Sequence, residues 1–556
     1  MKNMCKKIVF FIFGIFSLSV FVTAQSQPVN EPMDSVVLPD VTTVISSEDI
    51  QIEENAIPDF SGALPDDVSK TKTLPEKIEI NIADGNNGFG FNQSPEETRK
   101  VFMEGLMQFG YPYLFSGDFS IYQLGLNPFT VRFVHDSLGG YGLNGFESGF
   151  FDNATELLAE KTFTGNKIQW NLSSAYSAKD MGLQGLSALY DDVNRRFFSV
   201  DFNAGFPFGK NFSGGFDLQG NWFSRYAGFA DSLNSVSDSD NIALSVLQFE
   251  PEANILWQKN NVSLGLNALW NWSSFLKSGL KAANRADLSF AGRISFPSID
   301  INTSVGSVFL LQPDGIQNAA MIFPFNVGLS GNIFTKMSSL PVVFAINGGL
   351  KSTQVDYALL DSENPVTDFT AELLQINREQ TDWFASLLVD IPFSSSLTAG
   401  LDVNFYKTAF GNGFLCTQED SFNSITGFFE GTAKDMTRLK TDLSFSVFSD
   451  SAFAVFGWQS QWLDVLFGQP KHIVYGSVSF LSGLWEFDGK IIENIGNGQD
   501  LMPIIDTAVS YRPASAIKVE FGFTDIIKLF TGKGRVFAEP YINRSGTAFV
   551  SVNFMY

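Results

Sequence analysis

The chain has 556 residues, of which 44% are hydrophobic, 14% aromatic and only 17% charged, and its formal net charge is −23. The acidic excess argues against a nucleic-acid-binding protein, for which a basic stripe is expected. A chain with 58 Phe and few charges fits a transmembrane β-barrel, in which lipid-facing and lumen-facing residues alternate.

The first 24 residues predict a secretory signal peptide. Three lysines precede an apolar run over residues 8–22, and the small residues around Ala24 are typical of a cleavage site. A transmembrane anchor is the alternative, but the run is shorter than the about 20 residues that a membrane-spanning helix needs. Without this segment Cys416 is the single cysteine, so no intramolecular disulfide is expected.

Residues 25–110 are predicted to form an acidic, mostly extended periplasmic arm. Between residues 25 and 100 the chain carries 15 acidic and five basic residues and only short apolar runs, a composition that disfavours a packed core. One short helix is predicted in the arm, with Ser94 as its N-cap, Pro95 at its first position and Val101, Leu106 and Met107 following.

From residue 111 onward the hydrophobic period changes to two, which is the period of a β-strand. Apolar residues alternate with small polar or charged ones over 198–206, 262–272, 397–406 and 439–447. Each segment has about the length that a tilted strand needs to cross a bilayer. The sequence therefore predicts an all-β fold, a transmembrane antiparallel β-barrel of 20–22 strands over residues 111–556.

The connections between these segments alternate in length. Short turns are predicted at 207–210, 258–261, 296–298, 392–396, 449–451, 482–483 and 512–515, and long polar loops at 227–244, 274–285, 357–382, 409–437 and 528–545. Bacterial outer-membrane barrels have short periplasmic turns and longer external loops. We therefore expect the cell outer membrane of a Gram-negative-type bacterium, with both termini in the periplasm.

The last eleven residues form an apolar strand that ends on an aromatic residue. Val550, Val552, Phe554 and Tyr556 lie on every second position and so share one face. A closed barrel ends on such a strand, because its last strand pairs with its first. A C-terminal strand of a soluble β-sandwich is the alternative for this stretch alone.

The aromatic residues and the two histidines are interpreted as structural. The nine tryptophans lie in or beside predicted strands, where they are expected to form interfacial girdles or, alternatively, to line a sugar-binding lumen. His135 and His472 lack a second histidine four residues on, and His135 is expected to be a polar lumen or loop residue. No catalytic, cofactor-binding or metal-binding residues are predicted, so an enzyme is not expected.

Three stretches resemble TonB-dependent outer-membrane receptors. Residues 34–46, which contain Asp34, Ser35, Val36, Val37 and Leu38, resemble the TonB box and its lead-in; 198–222 resemble a periplasmic hairpin; and 540–549 resemble the last loop and strand. The alternation Val550, Val552, Phe554 and Tyr556 also resembles the signal read by the outer-membrane barrel assembly machinery. The resemblance implies outer-membrane lipid, this machinery and TonB as partners.

One departure from that family concerns the plug domain. Only about 65 polar and acidic residues separate Ser46 from residue 111, so a full plug is expected to be missing. The barrel would then be an open pore, unless a part-buried arm or inward-folded long loops narrow it. The sequence thus predicts a porin-like channel or transporter that passes a small solute across the outer membrane. A surface structural protein or adhesin, anchored by the barrel, is the alternative.

Overall fold

The computed structural model describes residues 101–125, 127–140, 148–165, 167–229, 243–276, 278–311, 320–333, 340–409, 413–496, 502–532, 534–543 and 546–555. The predicted signal peptide, most of the predicted arm with its Ser94 cap, and the TonB-box-like residues lie outside these ranges. None of the helices in the described residues is long and apolar enough to cross a membrane.

The described chain forms one closed antiparallel wall. Its hydrogen-bonded sheet has 23 strands, but β12 and β13 both pair with β11 and follow each other along it, so the barrel has 22 strands. The wall strands are β1 Val101–Tyr111, β2 Leu114–Gln123, β3 Phe129–Gly139, β4 Phe151–Thr164, β5 Gln169–Gly182, β6 Tyr190–Pro207, β7 Phe212–Phe229, β8 Ala243–Lys259, β9 Val262–Phe275, β10 Ala283–Ser295, β11 Ile299–Leu311, β12 Ala320–Ile322, β13 Phe325–Ile333, β14 Val342–Gln354, β16 Glu379–Ser394, β17 Leu397–Thr408, β20 Thr437–Ser449, β21 Ala452–Leu463, β22 His472–Ser482, β23 Trp485–Ile495, β24 Ile504–Ala514, β25 Ile517–Thr524 and β28 Thr547–Met555.

The first and last strands close the barrel. Strand β1 pairs with β2 on one side and with β28 on the other, and Val550 and Val552 lie opposite Phe109 and Met107. The wall therefore begins at Val101, ten residues before the predicted start, and the predicted helix is wrong where it included Val101, Leu106 and Met107. These residues form a strand because β1 pairs with both of its neighbours and so closes the ring.

The two faces of the wall differ in chemistry. Large apolar side chains such as Phe109, Phe198 and Phe456 are exposed on one face. The cross-strand partners of the other face are largely polar, as in the row Asn203, Asp217 and Glu252. Such a continuous exposed apolar surface fits lipid and not water, so the first is the outer face and the second the inner face. The predicted alternation in β6, β9, β17 and β20 is confirmed.

All nine tryptophans lie on the outer face. Register places all of them on the face that carries the exposed apolar residues, as where Trp270 pairs with Ala286 beside Leu288 and Phe290. This favours the girdle over a tryptophan-lined lumen. His135 also lies on the outer face, since it pairs with Gly117 in the row of Met107. Its predicted place in the lumen or a loop is wrong.

The alternation of short and long connections is also confirmed. The seven predicted short turns lie at one end of the barrel, the turn end, where β1 begins and β28 stops. The five predicted long loops all lie at the other end, the loop end. Within the described ranges, three connections at the loop end contain strands or helices of their own: β15 Thr367–Asp368, β18 Phe414–Thr417, β19 Phe429–Lys434, β26 Arg535–Ala538, β27 Tyr541–Asn543, α1 Tyr357–Glu363, α2 Ala371–Ile376 and α3 Ile526–Thr531.

Candidate functional site: a cap of loops over the lumen

Loops from opposite sides of the wall meet at the loop end. We call their described residues within 183–189, 355–378, 409–436 and 525–546 the cap. Strand β6 is the sixth and β20 the sixteenth strand of the 22-strand wall, so the connections at these strands start almost diametrically apart. Contacts between them must therefore cross the mouth of the barrel.

Hydrogen bonds join these distant connections. Ile425 of the β17–β20 connection accepts bonds on its carbonyl oxygen from the Ala188 and Leu189 backbone N–H groups, both at 3.1 Å, and from the Ser187 hydroxyl at 3.0 Å. From the β25–β28 connection, the Ile542 carbonyl accepts a 2.6 Å bond from Gln184 Nε2, and its N–H donates to Gln184 Oε1 at 3.1 Å. Three loops are thus tied to one another above the lumen.

An aromatic core lies beneath these bonds. Tyr190, Phe428, Phe429 and Tyr541 are each at most 2% exposed and pack in one cluster with Leu183 and Val366. Tyr190 lies at the start of β6, Phe428 in the β17–β20 connection and Tyr541 in β27. A small core that draws side chains from four loops is an ordered layer, because its burial is lost if any one of the loops withdraws.

The fourth loop enters from the β14–β16 hairpin, which turns inward. Strand β14 pairs with β13 only up to Leu350 and then continues with β16 alone. Leu350 is 5% exposed and packs against Val308 and Leu310, which belong to the inner face of β11. The top of this hairpin has therefore left the wall and lies against its inner surface.

Short helices follow from the sequence of that loop. Asp356 caps α1 by accepting bonds from the backbone N–H groups of Ala358 at 2.9 Å and Leu359 at 3.0 Å, and Thr370 caps α2. The two helices place Tyr357 and Leu374 against inner-face residues of β7, β8 and β9, including Phe223. Capping fixes where the helices begin, and the apolar contacts fix where they lie.

The same loop carries a buried ionic cluster. Asp361 of α1 is 3% exposed and forms ion pairs with Arg195 and Arg225 on the inner faces of β6 and β7, with Arg225 Nε 3.2 Å from Asp361 Oδ1. Arg225 also donates to the Thr367 carbonyl at 2.6 Å and stacks over the Phe428 ring at 4.8 Å. One carboxylate thus holds the cap against two wall strands.

A second buried pair fixes the hairpin itself. Glu379, fully buried at the start of β16, accepts Arg285 Nε at 3.0 Å and the Ser352 hydroxyl at 2.5 Å. Arg378 beside it donates to the backbone carbonyls of Asn284 and Leu311, both at 3.1 Å. Breaking a buried ion pair typically costs about 3–5 kcal/mol, because it leaves an uncompensated charge, so the loss of one partner of these pairs should loosen the cap.

The cap residues were not predicted from the sequence. The sequence nevertheless contains a feature that indicates them. Arg195, Arg225 and Arg285 occupy polar-face positions near the loop-end termini of three strands. A basic side chain there needs a partner, and the acidic residues of the 357–382 loop supply it. Among the described residues, no group of three or more His, Cys, Asp or Glu is arranged to hold a metal ion.

No protein-family model and no curated protein sequence matches the chain. A copper transporter, OprC, superposes with a TM-score of 0.60 at 10% identity, covering 83% of this chain and 82% of its own. The fold is that of the TonB-dependent receptors.

Two further receptor structures have the same fold. A mutant of the ferric enterobactin receptor PfeA from Pseudomonas aeruginosa gives a TM-score of 0.60 at 9% identity, covering 82% of this chain and 80% of its own. The FrpB iron transporter from Neisseria meningitidis gives 0.59 at 9% identity, covering 82% and 81%. The similarity of this chain to them lies in architecture, with little shared sequence.

The ionisation of Asp368 predicts a pH dependence of the cap. Burial raises the pKa of this β15 carboxyl; Arg225 opposes the shift, and Asp361 and Glu430 add to it. A raised folded pKa means that the cap is most stable below the ordinary carboxyl pKa and loses stability as pH rises through the raised value. As pH rises through this range, we expect the labelling rate of the buried Cys416 thiol to increase more in the wild type than in Asp368→Asn.

This dependence is measured as the ratio of the two labelling rates with dithiodipyridine, a thiol reagent that reacts at acidic pH. The ratio cancels the intrinsic pH dependence of the thiol and the titration of all groups that both proteins share. A ratio that stays constant with pH would show that Asp368 does not couple to the cap.

Proposed function

We propose that this protein is an outer-membrane transporter that passes a small solute through its lumen, and that the cap is the gate. The observation that carries the proposal is that loops starting about half the circumference apart are hydrogen-bonded to one another across the mouth. A wide barrel whose mouth its own loops close needs a gate to let a solute through.

The inner wall supports passage of a hydrophilic solute. Barrels of this width have room for a lumen of polar side chains. Asp201, Asp217, Glu250 and Glu252 lie on neighbouring strands of the inner face, in adjacent rows. Carboxylates along a pore favour cations, so we propose a preference for cationic over anionic solutes. The named neighbours transport or receive copper, iron and ferric enterobactin, which supports the transport class.

Orientation and partners complete the proposal. The turn end would face the periplasm with both termini, and the cap would face outward. The segment Asp34–Leu38 would contact TonB, and the alternating Val550, Val552 and Phe554, with Tyr556 outside the described residues, would be read by the assembly machinery.

Reversible cross-linking tests the gate. In a Cys416→Ser background, Ser187→Cys and Ile425→Cys are joined by a short cross-linker that a reductant cleaves, and Asp361→Ala is added to loosen the cap. In planar bilayers we expect ion conductance after reduction and its loss after cross-linking, because the link ties opposite sides of the mouth together.

The matched control carries Ser187→Cys alone, which the cross-linker cannot join to a second site. Equal, non-zero conductance in the linked and reduced states would show that the cap is not the gate. No conductance in either state, from protein whose heat-modifiable gel mobility shows a folded barrel, would favour the alternative of a surface anchor.

A further inference from the structure

The cap carries a depression of about 630 Å³ at the junction of three loops. Its lining residues are Gly185, Leu186, Ser187, Ala188, Phe422, Ser424, Glu539 and Pro540. Small-molecule sites in proteins typically have volumes of about 300–1,000 Å³, so the depression is large enough for a solute with one or two rings.

Each wall of the depression comes from a different connection. The β5–β6 connection contributes Leu186, the β17–β20 connection Phe422, and the β25–β28 connection Pro540. The hydrogen bonds of Ile425 and of Gln184 that close the cap hold these walls in place. The depression therefore has this shape only while the cap is closed.

The chemistry of the lining is amphipathic. Leu186, Phe422 and Pro540 form its apolar part, and the hydroxyls of Ser187 and Ser424 its neutral polar part. Glu539 is the single charged side chain among the lining residues and is exposed. Within the described part of the chain, no basic side chain forms an ion pair with it. An apolar surface beside one carboxylate complements a molecule with an apolar body and a cationic group.

We propose that this depression binds a small solute with a ring-sized apolar body and a cationic group that pairs with Glu539. The inference rests on the proposed transport function, since such a molecule would be the solute at its first contact with the closed cap. Because the ligand would touch three loops, binding stabilises the closed state by linkage. Release into the lumen then requires opening, which separates the walls and weakens binding.

Fluorescence polarisation with two dansyl probes tests this site on the folded barrel in detergent. Dansylethylenediamine carries an ammonium group, and dansylamide is neutral with the same ring system. An exposed ion pair is worth about 0.2–1 kcal/mol, so at low salt we expect the ammonium probe to bind about 1.4-fold to fivefold more tightly. Glu539→Gln should bring the two affinities together without changing that of dansylamide.

Two matched variants complete the experiment. Glu419→Gln removes an exposed acid elsewhere in the cap and should leave the ratio unchanged, whereas Ala188→Trp fills the depression and should abolish binding of both probes. Bound ammonium probe should also slow thiol labelling of Cys416. Equal affinities in the wild type, or a ratio that Glu539→Gln leaves intact, would overturn the proposal. Neither outcome involves transport, so failure here is distinct from failure of the gate.

Discussion

Replacing Asp361 with Ala should open the cap and make the Cys416 thiol react with maleimide at least tenfold faster. Cys416 lies in β18, is 3% exposed and is the single cysteine after the predicted signal segment. The substitution leaves Arg195 and Arg225 buried without their shared carboxylate. Breaking a buried pair in this way costs about 3–5 kcal/mol, which favours the open state by two orders of magnitude or more.

The labelling experiment uses mature protein with a folded barrel, as shown by heat-modifiable gel mobility. Glu419→Ala is the matched control, because it removes an exposed acid from the same cap and should label at the wild-type rate. The triple variant Asp361→Ala/Arg195→Ala/Arg225→Ala should label no faster than Asp361→Ala, since the charges then leave together. Wild-type labelling in Asp361→Ala would show that the ionic cluster does not hold the cap.

Replacing Val552 with Arg should block insertion into lipid vesicles, whereas the same change at Asn553 should be mild. Val552 lies on the outer face opposite Met107 and Val519, and Asn553 lies on the inner face opposite Leu106 and Lys518. Arg on the lipid face near mid-bilayer costs about 2–4 kcal/mol, and less towards the interface. The folded fraction after refolding into vesicles, read by gel mobility, measures the difference.

The two positions are neighbours in sequence and lie at the same height in the barrel, so depth and distance from the terminus are matched. In the Asn553→Arg control, the neighbouring Lys518 adds a small like-charge repulsion. Asn553→Gln lengthens the same side chain without adding a charge, so this repulsion is absent. If both Arg variants insert equally well, the assignment of the outer face in β28 is wrong. If both fail, the terminal strand tolerates no charge on either face.

The barrel was predictable because its signal repeats along the chain. Each wall strand has the same two-residue period. A wrong prediction for one strand, such as the helix predicted over part of β1, therefore leaves the prediction of the other strands intact. The sequence predicts a helix over part of that strand, because one of its two neighbours in the barrel, β28, lies at the other end of the sequence. Local pattern cannot reveal a pairing between Phe109 and Val550.

The cap was not predictable for a different physical reason. Its ties join residues such as Arg225 and Asp361, or Gln184 and Ile542, whose partners depend on which loops meet above the ring. A loop composition rich in polar residues looks the same whether the loop is solvated or folded inward. The predicted position of His135 was wrong for a related reason. Its place in the two-residue alternation of β3 decides which face it lies on, and its polarity does not.

The seam between β1 and β28 and the long-range ties of the cap have a consequence for the order of folding. Ser187 and Ile425 are 238 residues apart and Gln184 and Ile542 are 358 apart, and contacts of such separation form late because loop closure is costly. The cap can assemble only when the ring that positions its loops is complete. Its closure would therefore be the last folding step, reached only by chains whose two end strands have met.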